Sequence, residues 1–101
     1  MTENNAVRIT RVFTSRLRLK DAVQLIQKLK IASSMRILVH GDNYYIDLFV
    51  QESHEDSARA STNFGDDVDP DDLPALDDCS ETYVGSGVTY FKKQQPYSRK
   101  V

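Results

Sequence analysis

Residues 36–51, RILVHGDNYYIDLFVQ, decide the fold. Two β-rich runs, Arg36 to His40 and Tyr44 to Gln51, flank Gly41-Asp42-Asn43, residue types that tolerate the positive φ of a tight hairpin. Successive side chains of a strand alternate, so Ile46, Leu48 and Val50 share one face of the second run. Tyr45, Asp47 and Phe49 then share the other. An antiparallel hairpin with one apolar face needs a partner to cover that face.

The partner precedes it. From about Leu19 to Ser33 the apolar residues Leu19, Ala22, Val23, Ile26, Leu29 and Ala32 recur at helical spacing, with Leu25 widening the stripe, while Lys20, Gln24, Gln27 and Lys28 take the wet side. Thr14 or Ser15 caps its entry, and Ser33-Ser34, poor interior residues, are expected to end it. Before the helix, Val7 to Phe13 reads as a strand with Val7, Ile9 and Phe13 on one face and Arg8, Thr10 and Val12 on the other. The expectation is an α+β protein: a small antiparallel sheet in β-α-β-β order, one main amphipathic helix covering one sheet face, and a long acidic loop or tail.

That last part follows from composition. Glu52 to Thr82 carries Asp, Ser, Ala and Pro with sparse apolar residues (Phe64, Val68, Leu73, Leu76), too few to repay the entropy of ordering. The expected organisation is a compact core over 1–51, an acidic flexible segment over 52–81, and a returning strand plus basic tail over 82–101. A short helix over Glu55 to Ala60 is one option within it. Thr82 to Val84 and Val88 to Phe91, around Gly85-Ser86-Gly87, have the form of a hairpin or a bulged strand. With both present the order becomes β-α-β-β-α-β, a ferredoxin-like arrangement with an acidic insertion.

Charge is sorted by position along the chain. Residues 1–40 hold eight Lys/Arg against two acids, and residues 41–80 hold twelve acids against Arg59 alone. The C-terminal residues add four bases against Glu81, and the whole chain comes to −2. Two fields of opposite sign bear on partners and on association rates. In a chain of 101 residues, a folded unit of about 60 residues buries only about 60% of its unfolded surface, so a homodimer or a bound target would help complete it. The single Cys79 forms no intramolecular disulfide, the N-terminus lacks the pattern of a signal peptide, and no apolar run approaches 18 residues. A cytoplasmic protein without a membrane partner is the expectation.

The densest acids are Asp66, Asp67, Asp69, Asp71, Asp72, Asp77 and Asp78. Their spacing approaches that of a nucleic-acid backbone, where one duplex charge falls every ~1.7 Å of axis. They are candidates for meeting a protein partner with a basic, nucleic-acid-handling surface, as acidic inhibitors of viruses and mobile elements do by analogy of composition. The plain alternative is a solvated linker. Asp67, Asp69, Asp71 and Asp78 fall at calcium-loop positions, but Asp72 stands where the loop needs Gly, and Pro70 and Pro74 interrupt it, so no metal site is assigned.

A second reading uses Arg8, Arg11, Arg16, Arg18, Lys20, Lys28 and Lys30 as direct phosphate contacts, with Tyr45 and Phe49 stacking bases on an uncovered sheet face. A third takes Tyr44, Tyr45 and Phe49 as the aromatic contact face of a structural, dimerising subunit. His40, Asp42, Asp47, His54 and Cys79 exhaust the plausible catalytic set and form no recognisable triad, dyad or zinc site. No glycine-rich phosphate loop is present, so neither an enzyme nor a cofactor is expected.

Overall fold

The computed structural model describes residues 6–85. The chain runs β1 (Ala6–Phe13), α1 (Arg16–Leu29), β2 (Ala32–His40), β3 (Asn43–Gln51), α2 (Glu55–Ser61), β4 (Asp66–Asp67) and β5 (Glu81–Gly85), with single 3₁₀ turns at Glu52–His54, Pro70–Asp72 and Leu76–Asp78. The five strands form one antiparallel sheet in the order β4-β1-β3-β2-β5. Strand β3 lies antiparallel between β1 and β2, which are joined by α1: a split β-α-β unit. The α+β class read from the sequence is the class observed.

The hairpin forms where its residues required it. His40 pairs with Asn43, so the turn is Gly41-Asp42 alone, one residue tighter than expected, and Gly41 supplies φ 61°. Glycine at the first central position, followed by a negative φ, is the II′ geometry whose twist matches that of the strands.

Helix α1 differs from its sequence outline at both ends. It starts at Arg16 because Ser15, extended at φ −127°, places its Oγ to accept the Arg18 N–H at 3.4 Å. It stops at Leu29 because Lys30 turns into the left-handed region at φ 56°, returning its N–H to the carbonyls of Ile26 and Gln27. Ser33 and Ser34, expected as helix terminators, belong instead to the start of β2, where the register shifts between Ala32 and Ser34 and the Ser33 hydroxyl donates to the Phe49 carbonyl.

The core lies between α1 and one sheet face. Leu19, Val23 and Ile26 of the helix meet Ile9 and Phe13 of β1, Ile46, Leu48 and Val50 of β3, Met35, Ile37 and Val39 of β2 and Tyr83 of β5, all nearly inaccessible. Each full burial of such an aliphatic side chain is worth about 1.5–3 kcal/mol. The core extends beyond residue 51: Ala58 of α2 is fully buried within it, and Thr62, also fully buried, satisfies its hydroxyl on the Ala58 carbonyl. The option of a helix at 55–60 is the one realised, because alanine at position 58 lets α2 approach the core closely.

The acidic segment, expected to be largely without structure, carries α2, β4 and the two later 3₁₀ turns. Its tether is backbone pairing: β4 opposes Arg11 and Val12 of β1, and the Val68 N–H continues the ladder onto the Thr10 carbonyl at 3.0 Å. The returning strand exists as β5 and joins the β2 edge, while Val88–Phe91 and the basic tail lie outside the described residues.

Gly65 closes the turn from α2 into β4, and a Cβ there would lie 2.9 Å from Phe13 Cζ and 3.0 Å from the Val12 carbonyl oxygen. Gly65→Ala is therefore expected to cost about 1–3 kcal/mol in urea unfolding. An unchanged midpoint would contradict this packing of β4 on β1.

Candidate functional site

The face of the sheet away from α1 is set by strand register. Thr10, Asp47, Arg36 and Val84 form one row across β1, β3, β2 and β5, the next row toward the hairpin is Val12, Tyr45, Leu38 and Thr82, and Arg8 pairs with Phe49 on the other side. Leu38 is 1% exposed although it stands outside the helix-side core. Something else covers it.

The cover is the chain from Val68 to Ser80. It leaves β4 on one edge of the sheet and must reach β5 on the opposite edge, four strand spacings or roughly 19 Å away. The far end is pinned by the Ser80 N–H donating to the Val39 carbonyl at 2.8 Å. Between the pins the Asp71 charge acts on Arg8 and the Arg36 charge acts on Cys79, and both arginines belong to the face opposite α1. The segment is thus a strap across that face. Its Val68, Leu73, Pro74 and Cys79 are half-buried, whereas Asp66, Asp67, Asp69, Asp71, Asp72, Asp77 and Asp78 are all exposed.

Local structure fixes these carboxylates. Asp66 and Asp67 are held in β4, Asp69 caps a 3₁₀ turn by accepting the Asp71 N–H at 3.0 Å, and Asp77 and Asp78 occupy the second 3₁₀ turn. Of the seven, Asp67 pairs with Arg11 at 3.3 Å, and the other six have no ion-pair partner among the described residues. No group of three or more His, Cys, Asp or Glu side chains among the described residues is arranged to hold a metal ion.

Beneath the strap's edge lies Asp47, 4% exposed. Arg8 grips it with two bonds, Nε to Oδ1 at 2.8 Å and Nη2 to Oδ2 at 3.0 Å. Thr10 Oγ1 donates to Oδ1 and Arg36 Nη2 to Oδ2. Burial works to raise the carboxyl's pKa, but the hydrogen bonds from Arg8 and Thr10 and the charges of Arg8 and Arg36 outweigh it and hold Asp47 below the usual carboxylate range. The hydrogen bond to Asp47 likewise raises Arg8 against the cost of its burial.

The basic residues singled out by the sequence do not form one surface. Arg8 is committed to Asp47 and stacks over Phe49 at 5.4 Å, and Arg11 reaches the Gly65 carbonyl and Asp67. Arg16 bonds to Glu81 at 3.2 Å and lies over Tyr44, while Arg18 lies 4.3 Å over Phe64. Lys20, Lys28 and Lys30 are exposed along α1. The aromatic trio separates as well, since Tyr44 stands on the helix side while Tyr45 and Phe49 stand on the strap side. The face assigned to those two is partly covered by the strap.

Glu81 ties the sheet edge to α1 by accepting from Arg16 and, at 2.6 Å, from the Tyr83 hydroxyl. Burial, then the hydrogen bond to Glu81 and its charge, push the Tyr83 phenol up to about 12.

Sequence reasoning passed over Arg36 and the clamp on Asp47. Half of it was legible: a turn pairing His40 with Asn43 places Arg36 opposite Asp47 four residues down each strand. The other half needs the β1–β3 register. No protein-family model matches the chain, and no curated protein or solved structure is significantly similar to it. No helix among the described residues is long and apolar enough to cross a membrane.

Two outcomes test this geometry. Asp47→Asn removes a buried charge whose arginine partners are one-third exposed and so partly solvated, giving an expected loss of about 2 kcal/mol. Because the folded-state pKa of Asp47 is depressed, its contribution is fully present above the unfolded value near 3.8 and is lost as pH falls through the folded one. The acid limb of the stability profile is therefore shallower in the variant, and identical limbs would refute the clamp. In alkaline titration by ultraviolet absorbance, Tyr83 ionises late, near pH 12, and Tyr83→Phe removes that step. A neutral Tyr83 stabilises the fold below the unfolded pKa of 10, and this contribution is lost as pH rises through about 12.

Proposed function

We propose that the protein is a non-enzymatic binding protein that docks on a nucleic-acid-handling protein or complex and modulates it, its acidic strap occupying a basic surface otherwise filled by a nucleic-acid backbone. The observation that carries this reading is that all seven carboxylates from Asp66 to Asp78 are exposed on a segment fixed at both ends by backbone hydrogen bonds. A solvated linker has no need of such pins. A charged surface held in place loses less entropy on binding than a mobile one. It also gains from steering and from counterions released by the partner's basic groove. The reading in which the basic residues contact nucleic acid directly has less support, because Arg8, Arg11 and Arg16 are engaged within the protein and only Arg18, Lys20, Lys28 and Lys30 remain along α1.

The test compares tagged wild-type protein with a variant carrying Asn at all seven positions, in affinity purification from native lysate with and without nuclease. A partner that resists nuclease, weakens steeply with salt and is lost in the variant is expected. Undiminished capture by the variant, or partners that disappear with nuclease, would sink the proposal.

A further inference from the structure

The strap leaves part of its face open, and there a groove of about 250 Å³ has walls that include Arg8, Ser34, Arg36, Asp47, Phe49 and Val84. Its floor is the clamped Asp47, already accepting four hydrogen bonds. Neutralising one carboxylate takes one guanidinium, and this site has two. The lining thus carries one positive charge in excess, and the side chains of Arg8 and Arg36 remain 37% and 34% exposed. Arg8 uses two N–H groups on Asp47 and Arg36 uses one, out of five on each guanidinium. The apolar part of the lining is Met35, Phe49 and Val84, the last at 74% exposure.

We propose that this groove is a binding site for a small organic carboxylate with a flat apolar body. The carboxylate takes the N–H groups of Arg36 and Arg8 that have no hydrogen-bond partner among the described residues, and the body lies against Phe49 and Val84. A guanidinium edge matches a carboxylate with two parallel hydrogen bonds. A monoanion balances the single excess charge, whereas a phosphate dianion exceeds it and meets the repulsion of the strap. The volume, below the roughly 300–1,000 Å³ of sites for drug-sized ligands, restricts the ligand to a single small ring or its equivalent. Asp71 of the strap, whose charge acts on Arg8, opposes the anion and sets how tightly it binds. The proposal does not depend on what the strap itself binds.

The test is a titration of the whole isotope-labelled protein followed by NMR, with benzoate as the probe and inorganic phosphate and benzylamine as comparisons. Benzoate is expected to give saturable shifts at the Arg36 Nε–H and at the Phe49 and Val84 amides. Arg36→Gln, which leaves Asp47 held by Arg8 and Thr10, should weaken binding by about tenfold or more. Val84→Asp, which places a negative charge at the exposed wall without touching the clamp, should weaken it too, and Asp71→Asn should tighten it. The inference is overturned by an absence of saturable shifts, by benzylamine or phosphate binding as tightly as benzoate, or by benzoate binding that is indifferent to both Arg36→Gln and Val84→Asp.

Discussion

The buried carboxylate of Asp47 is the constraint around which the strap side of this protein is arranged. A charge at 4% exposure is tolerated only with close, opposite partners, and the sheet supplies them from both flanking strands: Arg8 and Thr10 from β1, Arg36 from β2. Such a cluster adds little net stability compared with apolar packing. Its larger effect is on register. A slip of one residue in β3 would carry Asp47 to the helix side, away from Arg8, Thr10 and Arg36, while moving Ile46, Leu48 and Val50 out of the core. The clamp and the apolar alternation therefore enforce the same alignment of β1, β3 and β2.

With that alignment set, the second face has two unlike halves. Toward the hairpin, Leu38 and Tyr45 offer apolar surface that the strap covers. Toward the other end, the arginines and Phe49 border an open groove. The strap's course follows from where its ends are fixed: α1 and α2 occupy the helix side, and the chain must cross from the β1 edge to the β2 edge, so the remaining face is its route. Its few apolar residues sink partway toward the sheet, and the carboxylates stay in water, where their solvation is cheapest. A segment too polar to build a core of its own is ordered by borrowing one face of a sheet already built.

The charge asymmetry along the chain takes on a different meaning once folded. The N-terminal bases and the later acids meet at Arg8–Asp47, Arg11–Asp67 and Arg16–Glu81, long-range pairs that join β1, β3, β4, β5 and the start of α1. Among the described residues, Asp66, Asp69, Asp71, Asp72, Asp77 and Asp78 on one part of the chain and Lys20, Lys28 and Lys30 on another are exposed without an ion-pair partner.

The sequence by itself determined the local elements. Alternation in Ile46, Leu48 and Val50, helical spacing from Leu19 to Ile26, the capacity of Ser15 to cap, and Gly41 at the turn each act within a few residues, and each is found in place. It also determined that the Asp66–Asp78 carboxylates stay exposed, because too little apolar surface accompanies them. Tertiary structure decided the rest. Whether residues 66–80 are ordered depended on backbone partners more than fifty residues away at Thr10 and some forty away at Val39, and composition carries no information about them. The fate of Arg8 and the other bases depended likewise on register between strands distant in sequence. Solvation and short-range geometry are properties of a residue and its neighbours, whereas pairing across a sheet is a property of the assembled whole.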